Sequence, residues 1–190
     1  MEETDEQLVV AYLEGDETMF AVLVDRYMKH LYYFVLQFVN DPAVAEDIVQ
    51  ETFVKVWKHL NRFDGTKSFK TWIFAIAKNT AYDVLKKKKT LPFSMFIDEE
   101  GKNALENIAD KTLGVEDVLD QKSTAEELVQ KLALLTPLYR SVLVLHYQEH
   151  FTLHEIALIQ EEPYNTIKSR HQRALQALKK VFLALASQVK

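Results

Sequence analysis

The feature that most constrains the fold is a helical repeat of apolar residues, interrupted by turn and capping signals. Near the start of the chain, one apolar stripe recurs at spacings of three and four, the period of one helix face. Its members are Phe20, Leu23, Val24, Tyr27, Leu31, Phe34 and Phe38. Only four Gly and four Pro occur in 190 residues, too few for the many tight turns of an all-β protein. We therefore predict an all-α fold.

Capping signals divide this repeat into separate helices. Asp41-Pro42 suits a helix start, because Asp accepts bonds from the first N–H groups and Pro lacks the N–H that would stay unbonded. Thr136-Pro137 repeats this signal, and Thr152 with Glu155 has the spacing of a capping box. The predicted helices are 5–13, 17–39, 43–61, 69–89, 124–135, 137–149, 153–160 and a long helix from about residue 164.

The helical period is lost in the middle of the chain, which predicts two small helical domains. We expect these domains at 1–90 and 124–190, joined by an acidic linker at 91–123. The linker and the four residues after it hold ten Asp or Glu and three Lys or Arg. Strongly basic stretches lie on either side, at 62–89 and 163–190. Such stretches are typical of surfaces that bind polyanions, although ordinary solvated helix faces have the same composition.

The C-terminal domain has the element order of a helix-turn-helix. The predicted short helix 153–160 is followed by a break at 161–163 and then by a basic helix. In that motif the second helix enters the major groove, where Lys and Arg attract phosphates and polar side chains bond to base edges. A plain helical hairpin with one polar face would show the same spacing, so the spacing alone leaves both interpretations open.

Several function classes find no support in the sequence. The absence of Cys excludes a disulfide scaffold and a thiolate metal site. There is no glycine-rich phosphate loop, no HExxH motif and no close carboxylate pair with a His, so we expect neither enzymatic activity nor a cofactor nor a metal. The acidic first residues and the lack of an apolar run of about 18 residues predict a cytoplasmic protein without membrane insertion.

Three segments of the sequence together resemble parts of one known protein family. They are 45–57, AEDIVQETFVKVW; 63–89, which begins FDGTKSFKTWIF; and 135–174, which contains LHEIALIQEEPYNTIKSR. Segment 45–57 resembles the core-binding segment of the extracytoplasmic-function (ECF) sigma factors, and segment 63–89 is similar to the stretch that follows it in that family. Segment 135–174 resembles the family's promoter-reading C-terminal domain. Independent motifs in the family's order are far more specific than any one of them.

The resemblance implies a transcription initiation subunit that binds core RNA polymerase and directs it to specific promoters. Its N-terminal domain would hold the clamp coiled coil of the polymerase and would read and open the −10 element. Its C-terminal domain would hold the flap tip and read the −35 element. Besides core polymerase and promoter DNA, we expect an anti-sigma factor as a partner.

Motif position assigns the site residues that this resemblance implies. Polymerase binding falls to Asp47, Gln50 and Glu51. Contact with the −10 DNA falls to Phe63, Lys70, Lys78, Asn79 and Lys86. Contact with the −35 DNA falls to Thr166, Lys168, Ser169, Arg170 and Arg173.

Aromatic residues are further candidates near the −10 element, because capture of single-stranded DNA combines stacking with charge. Besides Phe63, they are Phe69, Trp72 and Phe74. For each of these four residues, a place in the core is the better interpretation. We assign Trp57 and Ile73 to the core outright.

Two residues of the helix-turn-helix depart from the family's pattern. The family usually has Gly and then an apolar residue in the turn, where this chain has Glu161 and Glu162. We expect Glu161 to need the backbone conformation that Gly favours, and Glu162 to bring a charge to a position that is normally buried. His171 replaces a usual Leu, and we expect it at the edge of the core as a group that titrates, not as a ligand. These departures concern −35 specificity, not the fold.

Two other functions stay open at this point. A helix-turn-helix regulator that never engages polymerase would use residues 152–180 but would leave the match at 45–89 unexplained. A sigma-like protein that only binds partners would have a DNA-reading helix weakened by Glu161 and Glu162. In the linker, we expect the apolar segment 91–97 to dock, either at alternative sites or as an extension of the N-terminal core.

Overall fold

The fold is known from a computed structural model that describes residues 3–39, 41–88 and 131–188. Every regular element among these residues is helical, as predicted. The α-helices are α1 (Asp5–Leu13), α2 (Thr18–Val39), α3 (Pro42–His59), α4 (Phe69–Lys88), α5 (Pro137–Leu143), α6 (Leu153–Gln160) and α7 (Tyr164–Gln188). A 3₁₀ turn, Leu60–Arg62, follows α3, and a π-helical turn, Val144–Gln148, follows α5. The linker 91–123, with its apolar segment 91–97, and most of the predicted helix 124–135 lie outside the described residues.

The predicted caps form and set the helix starts. The Asp41 carboxylate accepts from the N–H groups of Ala43 and Val44 at 3.0 and 3.2 Å. At α6, the Thr152 N–H donates to the Glu155 carboxylate at 2.8 Å, and the Glu155 N–H donates back to the Thr152 hydroxyl at 3.2 Å. Each such cap stabilises its helix by about 1 kcal/mol, so these local signals place the helix boundaries close to where the sequence predicted them.

The N-terminal helices α1 to α4 surround an aromatic core. α2 packs against α1, α3 and α4. The Phe34 ring lies between those of Phe38 and Phe74, with centroid distances of 5.2 and 5.1 Å. Ile73 is fully buried, which confirms its assignment to the core. Among the described helices, none is both long and apolar enough to cross a bilayer.

The assignment of Trp57 to the core is wrong, since 54% of this residue is exposed. On α3 the neighbouring Val56, fully buried, takes the core position. The Trp57 ring instead lies near α1, where its indole N–H donates to the Tyr12 hydroxyl at 2.7 Å. Apolar spacing could not make this distinction, because Trp57 follows the buried Phe53 by four residues and so fits the same helical period.

The C-terminal helices pack both on one another and on the N-terminal domain. α7 contacts α5 and α6, and α6 lies against α4. The main core is shared: six buried residues of the C-terminal domain join that of α1 to α4, namely Val142, Leu145, Phe151, Ile156, Ile159 and Ile167. A smaller cluster lies between α5 and α7. In this conformation, therefore, the two predicted domains are closed against each other.

Candidate nucleic-acid interface

The predicted polymerase-binding residues share one exposed face of α3. Asp47, Gln50 and Glu51 are all exposed, and their spacing of three and four places them on one side of the helix. The same side continues with Val54 and Trp57, which are 48% and 54% exposed. Neither is among the predicted polymerase contacts, and Trp57 was assigned to the core. We call these five residues the α3 strip.

Three of the four predicted −10 residues of α4 contact the C-terminal domain. Lys78 is only 3% exposed. Its ammonium lies 3.4 Å from the Gln160 carbonyl oxygen and 3.4 Å from the Glu161 carboxylate. The Asn79 amide donates to the same carboxylate at 2.7 Å. Lys70 reaches the same domain near the π-helical turn, where it donates to the backbone carbonyl of Glu149.

The other two predicted −10 residues, Phe63 and Lys86, make no contact with the C-terminal domain that the described residues show. Lys86 is exposed, and Phe63 is partly buried, packing against Phe69 and Trp72 with centroid distances of 5.6 and 5.2 Å. Phe69 and Phe74 are fully buried, which confirms the core interpretation for both. Of the four aromatic candidates, only Phe63 and Trp72 retain exposed ring surface for stacking on a base.

The helix-turn-helix forms, and Glu161 adopts the left-handed backbone conformation that was predicted for this position. α6 ends at Glu161, whose φ of 57° and ψ of 40° are left-handed. α7 then presents Lys168 to solvent, while Thr166, Ser169 and Arg173 are partly exposed. Four of the five predicted −35 residues are thus at least partly exposed on α7.

Arg170 is the exception and requires a correction. Motif position predicts it with Lys168 on the DNA-reading surface, but the residue is 2% exposed. Its two terminal nitrogens donate to the two carboxylate oxygens of Glu162 at 2.8 and 2.7 Å. This is a bidentate pair, the strongest geometry for Arg and a carboxylate. Glu162 brings a charge to a position where the family usually has an apolar residue, and the buried guanidinium of Arg170 on α7 compensates for it. Local spacing did not predict this pair.

Ionisation in this region follows from these contacts. The hydrogen bond from Asn79, with the nearby ammonium of Lys78, holds the pKa of Glu161 below its usual value. Burial, with a smaller effect of His146, lowers the pKa of His171 to about 4. The His171 ring stacks on Tyr147 with a centroid distance of 5.7 Å, so it lies at the edge of the core, as expected, and is neutral at pH 7.

Comparisons with known proteins match both ends of the chain to known families. Residues 23–90 match the Sigma-70 region 2 family and residues 125–178 match the Sigma-70, region 4 family. The ECF RNA polymerase sigma factor SigW of Bacillus subtilis (strain 168) is 33% identical over 173 residues, which are 88% of this chain and 90% of SigW. This chain belongs to the ECF sigma factors. The ECF RNA polymerase sigma-E factor of Escherichia coli (strain K12) is 30% identical over 181 residues, 92% of each chain.

As an ECF sigma factor, the chain binds core RNA polymerase and directs it to specific promoters. The resemblance drawn from the three sequence segments is confirmed. The alternative of a helix-turn-helix regulator that does not act through core polymerase is rejected, because the match covers the polymerase-binding region as well as the C-terminal domain.

Two solved structures show the same fold. CnrH in complex with the cytosolic domain of CnrY superposes with a TM-score of 0.67 at 21% identity, over 96% of this chain and 99% of that chain. RpoE in complex with the anti-sigma factor NepR from Bartonella quintana gives a TM-score of 0.63 at 23% identity, over 86% and 96%. The predicted all-α fold, with two domains and a C-terminal helix-turn-helix, is confirmed.

Proposed function

We propose that this ECF sigma factor separates polymerase binding from promoter reading on different helices. The α3 strip binds the clamp coiled coil of core polymerase, the segment 63–68 and α4 read and open the −10 element, and α7 reads the −35 element. In domain terms, 1–90 carries the first two tasks, 124–190 carries the third and holds the flap tip, and 91–123 links them.

The observation that carries the proposal is the composition of the α3 strip. It combines two large exposed apolar side chains, Val54 and Trp57, with three polar residues, two of them acidic. Protein interfaces have an apolar centre with aromatic anchors inside a polar rim, and acidic groups suit a partner that presents basic side chains. In the described part of the chain, Trp57 donates to the Tyr12 hydroxyl and still leaves 54% of its surface exposed to a partner.

The test is the affinity for core polymerase, measured by titrating the fluorescently labelled sigma factor. Trp57→Ala should weaken binding at least tenfold, because truncation of a central aromatic anchor costs about 2 kcal/mol or more. Met28→Ala is the matched control, since Met28 is similarly exposed, at 49%, but lies on α2. Equal affinities of the two variants would refute the assignment of the α3 strip.

For the −35 element, we propose that Lys168 and Arg173 attract phosphates while Thr166 and Ser169 bond to polar groups of the DNA. Lys168 is the most accessible of the four. Arg170 has a different task, because its guanidinium is held by Glu162. It positions the start of α7 against the turn and thereby orients the DNA-reading side chains.

For the −10 element, we propose that Lys70, Lys78 and Lys86 contact the DNA backbone and that Asn79 reads a base. The Phe63 ring, partly exposed at the start of the segment, stacks on an unpaired base. This combination of cations with an aromatic ring is what single-strand binding requires.

We further propose that the protein works in the cytoplasm, that it catalyses no reaction of its own and that it needs neither a metal nor a cofactor. We also propose that an anti-sigma factor holds it inactive. The support is the family and the two similar structures, one of CnrH with the cytosolic domain of CnrY and one of the sigma factor RpoE with the anti-sigma factor NepR. Affinity capture of the tagged protein without its inducing signal should yield a stoichiometric partner that competes with core polymerase. Recovery of core polymerase alone would contradict this.

A further inference from the structure

The contact between the two domains covers the groups that the proposed function assigns to DNA. The turn of the helix-turn-helix lies on the middle of α4, so that Lys78 is buried and its ammonium faces a carbonyl oxygen and a carboxylate. Asn79 donates its amide hydrogen to that carboxylate. Both residues therefore contact a carboxylate with the groups that the proposed function assigns to DNA, Lys78 to the backbone and Asn79 to a base. DNA cannot reach Lys78 in this conformation.

The backbone of Glu161 gives an independent indication that its side chain has a use. A non-glycine residue in the left-handed region is strained by roughly 1 kcal/mol, and Gly or Asn usually ends a helix in this way. Here the residue is Glu, at φ 57°. Its side chain compensates for the strain by accepting from Asn79 and pairing with Lys78, residues of the other domain. A strained position with such partners is a reason to search for a function.

We propose that Glu161 is an internal competitor of promoter DNA. In the free sigma factor its carboxylate occupies the Lys78–Asn79 site of α4, and promoter DNA binds there only after the domains separate. This inference rests on the proposed −10 role of α4. It goes beyond that role by naming the group that blocks the site.

Within the contact between the two domains, Glu161 is the group that competes with DNA for a cation of α4. Next to it the domains share apolar surface, including the rings of Phe74 and Phe151 with centroids 5.0 Å apart. On the other side of the contact, His30 of α2 bonds to the buried carboxylate of Glu149 at 2.9 Å. Apolar contacts do not compete with DNA for a charged group, but Glu161 and a phosphate compete directly for one cation. The side chain of Glu161 is 61% exposed, so its removal should shift the equilibrium without unfolding the chain.

The experiment uses the full chain and a labelled single-stranded DNA of mixed sequence, about 12 nucleotides long, with fluorescence anisotropy as the measurement. Glu161→Gln keeps the backbone strain and removes the charge, and it should raise the affinity about two- to tenfold, because the blocked fraction of the protein falls. Asp25→Asn removes one charge from an exposed position of α2 and is the matched control. Glu161→Gly removes the strain together with the carboxylate and should give a similar gain.

A second pair of variants locates the effect. In the Lys78→Ala/Asn79→Ala background, Glu161→Gln should give no gain, because the groups for which Glu161 competes are absent. Domain separation is measured directly with spin labels on Lys67→Cys and Gln172→Cys, both exposed positions in a chain that has no other Cys. Glu161→Gln should add longer distances to the measured distribution.

The possible results separate the inference from the function on which it rests. If the Lys78→Ala/Asn79→Ala change leaves DNA affinity unchanged even with Glu161→Gln, the proposed −10 role is wrong and the inference falls with it. If that change weakens binding but Glu161→Gln gains no more than Asp25→Asn, the inference alone is wrong. The same holds if the gain persists without Lys78 and Asn79.

Discussion

Replacement of Glu162 by Ala should destabilise the C-terminal domain more than any other change at a partly exposed acid. The reason is the partner that stays behind. The Arg170 side chain is 3% exposed and that of Glu162 is 28% exposed, so removal of the carboxylate takes away the charged group to which both terminal nitrogens of a buried guanidinium donate. Removal of one partner from a fully buried pair costs about 3–5 kcal/mol. Because water already reaches Glu162, we expect about 2–3 kcal/mol here.

The assay is thermal and urea unfolding followed by far-UV circular dichroism at pH 7. A loss of this size should lower the melting temperature by roughly 5–10 °C in a chain of this length. Glu46→Ala, at an exposed position of α3, is the control and should stay near the parent value. Addition of Arg170→Met to Glu162→Ala should recover much of the loss, because the double variant has no buried charge left to compensate.

Two results would refute the reasoning. One is a Glu162→Ala variant no less stable than Glu46→Ala, which would mean that the ion pair contributes nothing. The other is a double variant that is less stable than Glu162→Ala alone. In that case Arg170 would stabilise the fold by contacts other than its pair with Glu162.

Two further predictions concern α7. Lys168→Ala should weaken binding of the holoenzyme to duplex −35 DNA and reduce the slope of log affinity against log salt by about one. Arg170→Met should weaken binding without changing the slope. Equal slopes for the two variants would mean that Arg170 contacts a DNA phosphate as Lys168 does. The pKa of His171 is about 4 in the folded chain and about 6.5 in the unfolded chain. Between pH 4 and pH 6.5, the unfolded chain therefore binds more protons than the folded chain. Stability should therefore fall as the pH drops from 6.5 towards 4, and His171→Leu should reduce that fall, measured as the shift of the urea midpoint between pH 7 and pH 5.

Local features of the fold could be predicted from the sequence, and contacts distant in sequence could not. The cap at Asp41, the capping box at Thr152 and the left-handed backbone of Glu161 each depend on a few neighbouring residues, and all were predicted. The exposure of Trp57 depends on which side of α3 the other helices cover. The burial of Arg170 depends on the course of the turn after α6. Apolar spacing contains neither piece of information.

The candidate site shows the same division. Motif position assigned residues to polymerase and DNA, and all of them except Lys78 and Arg170 are at least partly exposed. It could not show that the middle of α4 is covered by the C-terminal domain, because that contact joins residues 82 positions apart. The exposure of Val54 could not be predicted for a related reason, because the packing of the other helices decides whether an apolar residue of a helix faces solvent.

The outward position of Trp57 also gives the molecule a built-in spectroscopic reporter. The chain has only two Trp residues, and they lie on different proposed surfaces: Trp57 on the α3 strip and Trp72 against Phe63. Fluorine-labelled tryptophan would give one resonance for each. The Trp57 signal should respond to polymerase and the Trp72 signal to capture of the DNA strand. The order in which the two signals change would show whether the sigma factor meets polymerase before its promoter.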